Sequence, residues 1–364
     1  MKKTAGILLL LIAICAITAA LNPNFLSPYN LQNLIRWTAL FGLLSIGAAF
    51  VIISGGIDLS IGSVVGLVGC LLPWLLTEMG WSVWIALPTT IGVAALAGLL
   101  HGLIITRFRI PPFLVTLCGL LVYRSLARYL TADQTIGFGG EHDTLRTLAT
   151  GRPCSATVFA MVLGAIWLAI SATRKNKQAM LAGVITVLVS GWVWVAEPEP
   201  LSELSIPTPF LIMVGISLLA SGFLRGTIWG RYLFAIGHSE TAARYSGVDT
   251  DRITMLAYVL CSTLAGIAGV LFALDINSIQ PSSHGNFFEL YAIAGAVLGG
   301  CSLRGGEGTV LGVILGAAVM RVLYNAITLL QIPTQLEMLI IGLVILIGVM
   351  ADEIVRRIRG GPTG

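Results

Sequence analysis

Apolar stretches of about 20 residues recur along the whole chain, and short polar segments separate them. A helix needs about 20 apolar residues to cross the hydrocarbon core of a bilayer. The stretches are continuous rather than alternating, so they predict helices and not the strands of a barrel. The pattern predicts an all-α polytopic membrane protein with twelve spans, at 5–21, 33–53, 58–77, 83–105, 112–130, 157–173, 179–196, 208–224, 253–274, 288–301, 309–330 and 336–351.

The first of these spans has two interpretations. Lys2 and Lys3 precede an apolar run that ends at Leu21, an arrangement found both in signal peptides and in retained first helices. The apolar run of about 17 residues is long for the core of a signal peptide. The sequence therefore favours a retained transmembrane helix.

Composition and charge agree with a membrane location. Only 10% of the 364 residues are charged and 56% are hydrophobic, which is too little charge to cover a soluble domain of this size. With the N-terminus inside, 15 of the 21 basic residues fall on the cytoplasmic side, as the positive-inside rule expects. An even number of spans returns the C-terminus to the cytoplasm. The net charge of +4 thus follows the membrane and does not indicate a nucleic-acid partner.

The sequence contains little that predicts catalysis. None of its four lysines follows a GxxxxG segment, so there is no P-loop for ATP, and the HExxH and GxSxG motifs are absent. The six cysteines have no paired or metal-ligand spacing. We therefore predict no catalytic residue, no cofactor and no metal on this chain. If the chain pumps, its energy comes from an ion gradient or from another subunit.

Residues 225–252 form a charged segment between two apolar spans. Within it, SETAARYSG predicts a short helix that is capped by Ser239, carries Glu240 in its first turn and ends at Gly247. Ala242 and Ala243 are small enough to enter a groove on a partner. The segment is therefore predicted to be a cytoplasmic coupling loop for a soluble energy-supplying subunit. The alternative is a plain solvated connector.

Asp58 is one of the few ionisable residues inside a predicted span, in the segment ISGGIDLSIG (53–62). One interpretation is a polar patch on a broken helix that lines a transport path. The other is an N-cap near the cytoplasmic surface, at the start of span 58–77. The segment 55–66 also resembles 299–312, which is either chance or the trace of the duplicated halves that are common in transporters.

Several segments together resemble a known family. The sequence GRYLFAIGHSETAARYSGV (230–248) closely resembles the cytoplasmic coupling loop of the ribose-type sugar ABC importer permeases. The blocks at 22–36, 53–67 and 280–317 occur in the family's order. The resemblance covers roughly 22–150 and 205–352, which is most of the chain.

The resemblance implies a type II-like importer fold of ten core helices in a single permease domain, 1–364. It implies a second permease copy, identical or a paralogue, a cytoplasmic ABC ATPase that carries ATP and Mg²⁺, and a periplasmic sugar-binding protein. Residues 156–204 are extra relative to the common form and are predicted to be an inserted helical pair. Cys301 and Gly295 stand where threonine and alanine are usual, and we expect effects on packing only.

Two sets of site residues follow. The residues expected to contact the ATPase are Gly230, Arg231, Gly237, Glu240, Ala242, Ala243, Ser246 and Gly247. The residues expected along the translocation path are Ser54, Asp58, Ser60, Asn277, Gln280 and Ser302.

The first hypothesis is the inner-membrane permease subunit of an ATP-driven importer of a neutral monosaccharide, ribose-like or another pentose or hexose. The second is an ion-coupled secondary transporter of a small neutral solute. The third, a membrane-embedded enzyme, is disfavoured because no acids, bases or metal ligands cluster.

Overall fold

The computed structural model describes residues 2–173, 183–188, 190 and 204–358. Helices make up most of this structure, and one two-residue antiparallel ladder joins β1 (Cys154–Ser155) to β2 (Ser205–Ile206). The helices are α1 Lys2–Leu21, α2 Pro28–Ile53, α3 Ile61–Pro73, α4 Val83–Phe108, α5 Pro112–Leu130, α6 Asp143–Thr150, α7 Ala156–Thr173, α8 Thr208–Gly226, α9 Ile228–His238, α10 Glu240–Tyr245, α11 Thr250–Ile276, α12 Phe288–Leu298, α13 Val310–Leu329 and α14 Glu337–Ile358.

The predicted spans correspond to helices wherever the structure describes them. Eight helices in the described part of the chain are long and apolar enough to cross a membrane: α1, α2, α3 with its continuation to Glu78, α4, α5, α8, α11 and α13. Shorter apolar helices occur at Ala156–Ala165, Phe288–Leu298 and Glu337–Gly348. Of the predicted span 179–196, residues 183–188 are helical and most of the others lie outside the described residues. The protein is an all-α polytopic membrane protein.

Two helix starts differ from the predicted span bounds for local reasons. The third helix begins at Ile61 rather than at residue 58, because residues 54–60 leave the helical conformation at Gly55, whose φ is +87°. The second helix begins at Pro28, earlier than residue 33. Ser27 caps it by accepting a hydrogen bond from the Asn30 amide, and proline at the first position needs no hydrogen-bond partner.

Helix α11 lies at the centre of the bundle, where it packs against α2, α3 and α4. Small residues make this close packing possible. A Cβ at Gly98 would overlap the backbone of Tyr258, and one at Gly102 would lie 2.7 Å from the Met255 Cα. Glycines spaced four residues apart on α4 thus allow the close approach of α11.

Helices α2 and α13 run antiparallel, so the start of each helix lies near the end of the other. Different contacts join them at the two ends of the bundle. Near the start of α2, Asn30 and Asn325 exchange amide hydrogen bonds of 3.2 and 2.7 Å. The Asn22 side chain also donates to the Leu329 carbonyl at 2.9 Å. We call this the asparagine end. At the other end, the amide of Gly306 donates to the carbonyl of Ile53, the last residue of α2.

The segment 225–252 is more helical than the sequence predicted. It contains two helices, α9 and α10, and its first and last residues belong to α8 and α11. Helix α9 was missed, although Thr227 caps it by accepting a hydrogen bond from the Gly230 amide at 3.1 Å. The short helix α6 was missed as well, because eight residues between longer elements give little periodicity.

Candidate functional site

The hairpin of α9 and α10 has its own local supports. Ser239 is extended between the two helices, and its hydroxyl accepts from the Ala242 amide at 3.2 Å. Gly247, at φ +84°, follows the end of α10, as predicted. Asp249 then caps α11 by accepting from the Arg252 amide at 3.2 Å. The predicted capped helix at SETAARYSG is therefore confirmed.

A network of four charges joins this hairpin to the neighbouring helices. Arg244 contacts Glu240 at 2.8 Å and Asp251 at 3.1 Å. Arg109, at the end of α4, also reaches Asp251 at 3.1 Å and lies 3.6 Å from Glu240. These side chains are about half exposed, so each pair contributes little to stability. The network links α10 to the end of α4 and the start of α11.

The predicted contact residues divide into exposed and internal ones. Two of them, Gly230 and Ala243, are buried against the chain's own core, and Gly237 is partly buried. A Cβ at Gly230 would overlap the backbone of α8. Ala243 is therefore not available to a partner, which leaves Ala242 as the small exposed residue. Other side chains on the outside are those of Arg231, Glu240, Ser246 and the unpredicted Tyr245, which is 88% exposed. The outer face of the hairpin thus carries charge, small residues and one aromatic ring.

Glycines from three separate segments meet where α9 ends. A Cβ at Gly237 would collide with the carbonyl of Ile53 and the amide of Gly306. A Cβ at Gly305 would lie 2.8 Å from the Gly237 Cα and 3.0 Å from that of Gly55. Gly55, Gly305 and Gly306 all have φ between +74° and +87°, which side chains rarely adopt. We call this contact of Gly55, Gly237, Gly305 and Gly306 the glycine junction.

The glycine junction joins the two similar segments seen in the sequence, 55–66 and 299–312. Ser54 and Ser302 flank it, and each has only a local role here. The Ser54 hydroxyl donates to the Val51 carbonyl at 2.8 Å, and the Ser302 hydroxyl accepts from the Arg304 amide at 3.3 Å. Both are only partly buried.

Asp58 lies in a buried polar cluster rather than at a helix cap. Its carboxylate accepts from the amide of Ser60 at 2.8 Å and from the hydroxyl at 2.6 Å, while its second oxygen has no hydrogen-bond partner among the described residues. Nearby, His101 Nε2 and the Tyr123 hydroxyl are 3.1 Å apart, and Tyr258 donates to the Ile57 carbonyl at 3.4 Å. The interpretation as a surface N-cap is therefore wrong, because Asp58 is only 2% exposed.

Asn277 and Gln280 lie together beyond the end of α11. The Asn277 side chain accepts from the Phe138 amide at 3.0 Å, and Gln280 accepts from the hydroxyl of Thr135. A backbone bridge between Ile136 and Ile279 holds these two segments side by side. The loop that carries Thr135 is further held by two hydrogen bonds from Arg128 to Asp133, which lower the pKa of that carboxyl. Asn277 thus has a structural role, whereas Gln280 remains exposed.

Residues 280–287 fold inward from this loop and pack against α3, a feature that the sequence did not indicate. Arg124 donates from one nitrogen to the carbonyls of Pro281 and His284. A Cβ at Gly62 would collide with Glu289 and with the carbonyl of Gly285. The glycines of α3 are therefore explained by the close approach of this segment.

No group of three His, Cys, Asp or Glu residues with the arrangement of a metal site occurs within the described ranges. The features with functional geometry are the exposed α9–α10 hairpin, the glycine junction that it contacts, and the polar groups in the interior of the bundle.

Comparison with known proteins gives a consistent result. Residues 30–349 match the family described as branched-chain amino acid transport system / permease component. The chain is 30% identical over 346 residues to the ribose import permease protein RbsC of Escherichia coli strain K12, an alignment that covers 95% of this chain and 92% of the relative.

Two further relatives have similar coverage. The chain is 29% identical to the xylose transport system permease protein XylH of the same strain, over 92% of this chain and 87% of the relative. It is 31% identical to the ribose import permease protein RbsC of Haemophilus influenzae, over 94% and 91%. No solved structure matches.

Proposed function

We propose that this chain, which belongs to the family described as branched-chain amino acid transport system / permease component, carries a monosaccharide. It is a multi-pass inner-membrane permease subunit of a binding-protein-dependent importer. The cargo we propose is ribose-like, or another pentose or hexose. The observation that carries this proposal is the similarity to ribose and xylose permeases over almost the whole chain.

The α9–α10 hairpin is the proposed dock for a cytoplasmic ABC ATPase. ATP and Mg²⁺ bind to that partner in this proposal and not to this chain. Support comes from the exposed outer face of α10 and from the position of Gly237 against both glycine-rich segments. A displacement of the hairpin would reach Ile53 and Gly306 directly, because only backbone separates them.

With the α9–α10 hairpin in the cytoplasm, the two ends of the bundle can be assigned to the two sides of the membrane. The asparagine end, with the exposed Gln280, faces the periplasm and a sugar-binding protein, and both termini are cytoplasmic. Two permease copies form the transporter, as homodimer or as a pair with a paralogue. We propose a type II-like fold with ten core helices and an inserted helical pair at 156–204, where residues 174–182, 189 and 191–203 lie outside the described residues. The path runs past Ser54, Asp58, Ser60 and Ser302, which become accessible as the permease alternates between two states.

Reconstitution tests this function directly. The permease, its ATPase and its binding protein are placed in proteoliposomes, and uptake of radiolabelled D-ribose and D-xylose is measured. We expect uptake only with ATP on the ATPase side and binding protein on the other. An ATPase variant that binds but does not hydrolyse ATP is the matched control. Uptake by the permease alone, driven by an ion gradient, would instead support a secondary transporter.

A further inference from the structure

Arg321 lies in α13, and its guanidinium carbon stacks on three aromatic rings. It is 4.9 Å from the ring centre of Trp37, 5.1 Å from that of Phe41 and 4.5 Å from that of Tyr324. We call these three rings the aromatic cage. Such contacts stabilise the positive charge. They do not use the N–H donors of the guanidinium, which lie in the plane of that group.

The hydrogen-bonding capacity of Arg321 is unused. Within the part of the chain that the structure describes, Arg321 donates no hydrogen bond and forms no ion pair, and its Nε is buried. Other partly buried arginines differ, since Arg36 pairs with Asp275 at 2.8 Å and Arg124 donates to two backbone carbonyls. Buried donors without acceptors are unfavourable, so an acceptor that arrives from outside would be stabilised at Arg321.

The other polar groups near the cage are complementary to Arg321. Tyr291, Tyr324 and Glu337 lie within electrostatic reach of its guanidinium. The Tyr291 hydroxyl donates to one carboxylate oxygen of Glu337 at 3.2 Å. The site therefore combines a strong donor, an acidic acceptor, hydroxyls and flat apolar rings.

The cage is neither sealed nor at the surface. Trp37, Tyr291, Tyr324 and Glu337 are each only partly buried, so the cage has an open side. With a rise of about 1.5 Å per residue, Trp37 is about 14 Å from the start of α2. Arg321 is about 12 Å from the end of α13 by the same measure. Both distances place the cage inside a hydrocarbon core about 30 Å thick, nearer to the asparagine end.

We propose that the aromatic cage with Arg321 and Glu337 is a recognition site for the transported molecule, and that this molecule is a neutral sugar in its ring form. The sugar lies at the open side of the cage, where its C–H groups contact the exposed parts of Trp37 and Tyr324. Its hydroxyl oxygens accept from Arg321, and one hydroxyl donates to Glu337. Arg321 and Glu337 balance each other's charge, which disfavours an anionic sugar acid. This inference rests on the proposed import of a monosaccharide.

The test is a kinetic comparison in the complete reconstituted transporter. Uptake of D-ribose, D-xylose and the sugar acid D-galacturonate is measured for wild type, Arg321→Gln, Arg321→Lys and Trp37→Phe. We expect Arg321→Gln to lower kcat/KM for the imported neutral sugar about 10- to 100-fold, and Arg321→Lys to have a smaller effect. Trp37→Phe keeps an aromatic face, so we expect it to change the ratio between the two pentoses. Arg152→Gln, at an exposed arginine outside both the cage and the hairpin, is the matched control and should retain wild-type kinetics.

Each other outcome contradicts the inference. An unchanged kcat/KM in Arg321→Gln, or one equal loss for both pentoses accompanied by a lower melting temperature, would make the cage purely structural. If Arg321→Gln fails to assemble, the test rests on Arg321→Lys and Trp37→Phe. An unchanged ratio of the kcat/KM values for the two pentoses in both variants then overturns the proposal. Preferred uptake of D-galacturonate would indicate an anion site instead. A wild-type transporter that imports no neutral pentose or hexose contradicts the proposed function itself, and the inference falls with it.

Discussion

The backbone amide of Gly306 donates a hydrogen bond of 2.9 Å to the carbonyl oxygen of Ile53. This bond joins the end of α2, just before the first glycine-rich segment, to the second, although Ile53 and Gly306 are more than 250 residues apart in the sequence. Gly237, at the end of α9, lies against both partners of the bond. No side chain fits between them, so the hairpin is in direct backbone contact with the ends of two core segments.

Replacement of Gly237 by alanine should therefore disturb the glycine junction. The added methyl would overlap the Ile53 carbonyl and the Gly306 amide, and overpacking of this kind costs about 1–3 kcal/mol. We expect a lower melting temperature of the purified permease and reduced ATP-dependent uptake. Gly222→Ala in α8 is the control, since no heavy atom lies within 4 Å of its added Cβ. Equal behaviour of the two variants would mean that the junction tolerates displacement.

Tyr245→Ala should weaken the association with the ATPase while leaving the permease fold intact. The ring is 88% exposed at the end of α10, so its removal costs the isolated chain little. Exposed aromatic side chains often contribute strongly to interfaces. The measurement is co-purification of the ATPase with tagged permease, together with the melting temperature of the permease.

The chain provides a matched control for this prediction. Tyr129 is 87% exposed near the end of α5, at the opposite end of that helix from Arg109 and the hairpin. Tyr129→Ala should leave ATPase association unchanged. If both variants, or neither, lose the ATPase, the partner does not dock on the outer face of α10.

Arg36→Met should destabilise the asparagine end. The Asp275 side chain is only 5% exposed and pairs with Arg36 at 2.8 Å. Removal of one member of such a buried pair typically costs about 3–5 kcal/mol, because the other charge stays buried without its partner. We expect the additional change Asp275→Asn to recover part of this loss. Unfolding in detergent measures both variants, and a double variant less stable than Arg36→Met alone would argue against the pair.

The amide pair of Asn30 and Asn325 should show energetic coupling between α2 and α13. Each single change to leucine leaves one buried amide with fewer partners, at about 1–3 kcal/mol. The double variant removes both amides, so its loss should be smaller than the sum of the single losses. A double-mutant cycle on melting free energies measures this difference. Strict additivity would show that the two side chains are stabilised independently.

Much of the architecture could be predicted because long apolar runs and helix caps are local signals. The bounds of α5 match the prediction, and Ser239 and Gly247 delimit α10 as expected. Helix α9 was missed because it is short and lies among charges, although Thr227 was a usable cap signal. The start of α3 was misplaced because an apolar pattern does not reveal a backbone that turns at Gly55.

The site was less predictable because it depends on contacts that are distant in sequence. Gly237 was expected to contact a partner, but its closest neighbours are Ile53 and Gly306 of the same chain. Arg321 lies within a predicted span, and no motif near it indicates Trp37 or Glu337 as neighbours. Asp58 was found as a polar residue in an apolar segment, yet its burial with His101 and Tyr123 required the packed bundle.

Helix α2 gives the molecule a lever arm. Its last residue, Ile53, is fixed at the glycine junction, and Trp37 lies about 24 Å further along the same helix at about 1.5 Å per residue. A tilt of only about 5° around Ile53 would move the Trp37 ring by about 2 Å, by the same helical geometry. A small displacement at the glycine junction would therefore be amplified at the Trp37 ring near the other side of the membrane, and the helices packed against α2 would have to move with it.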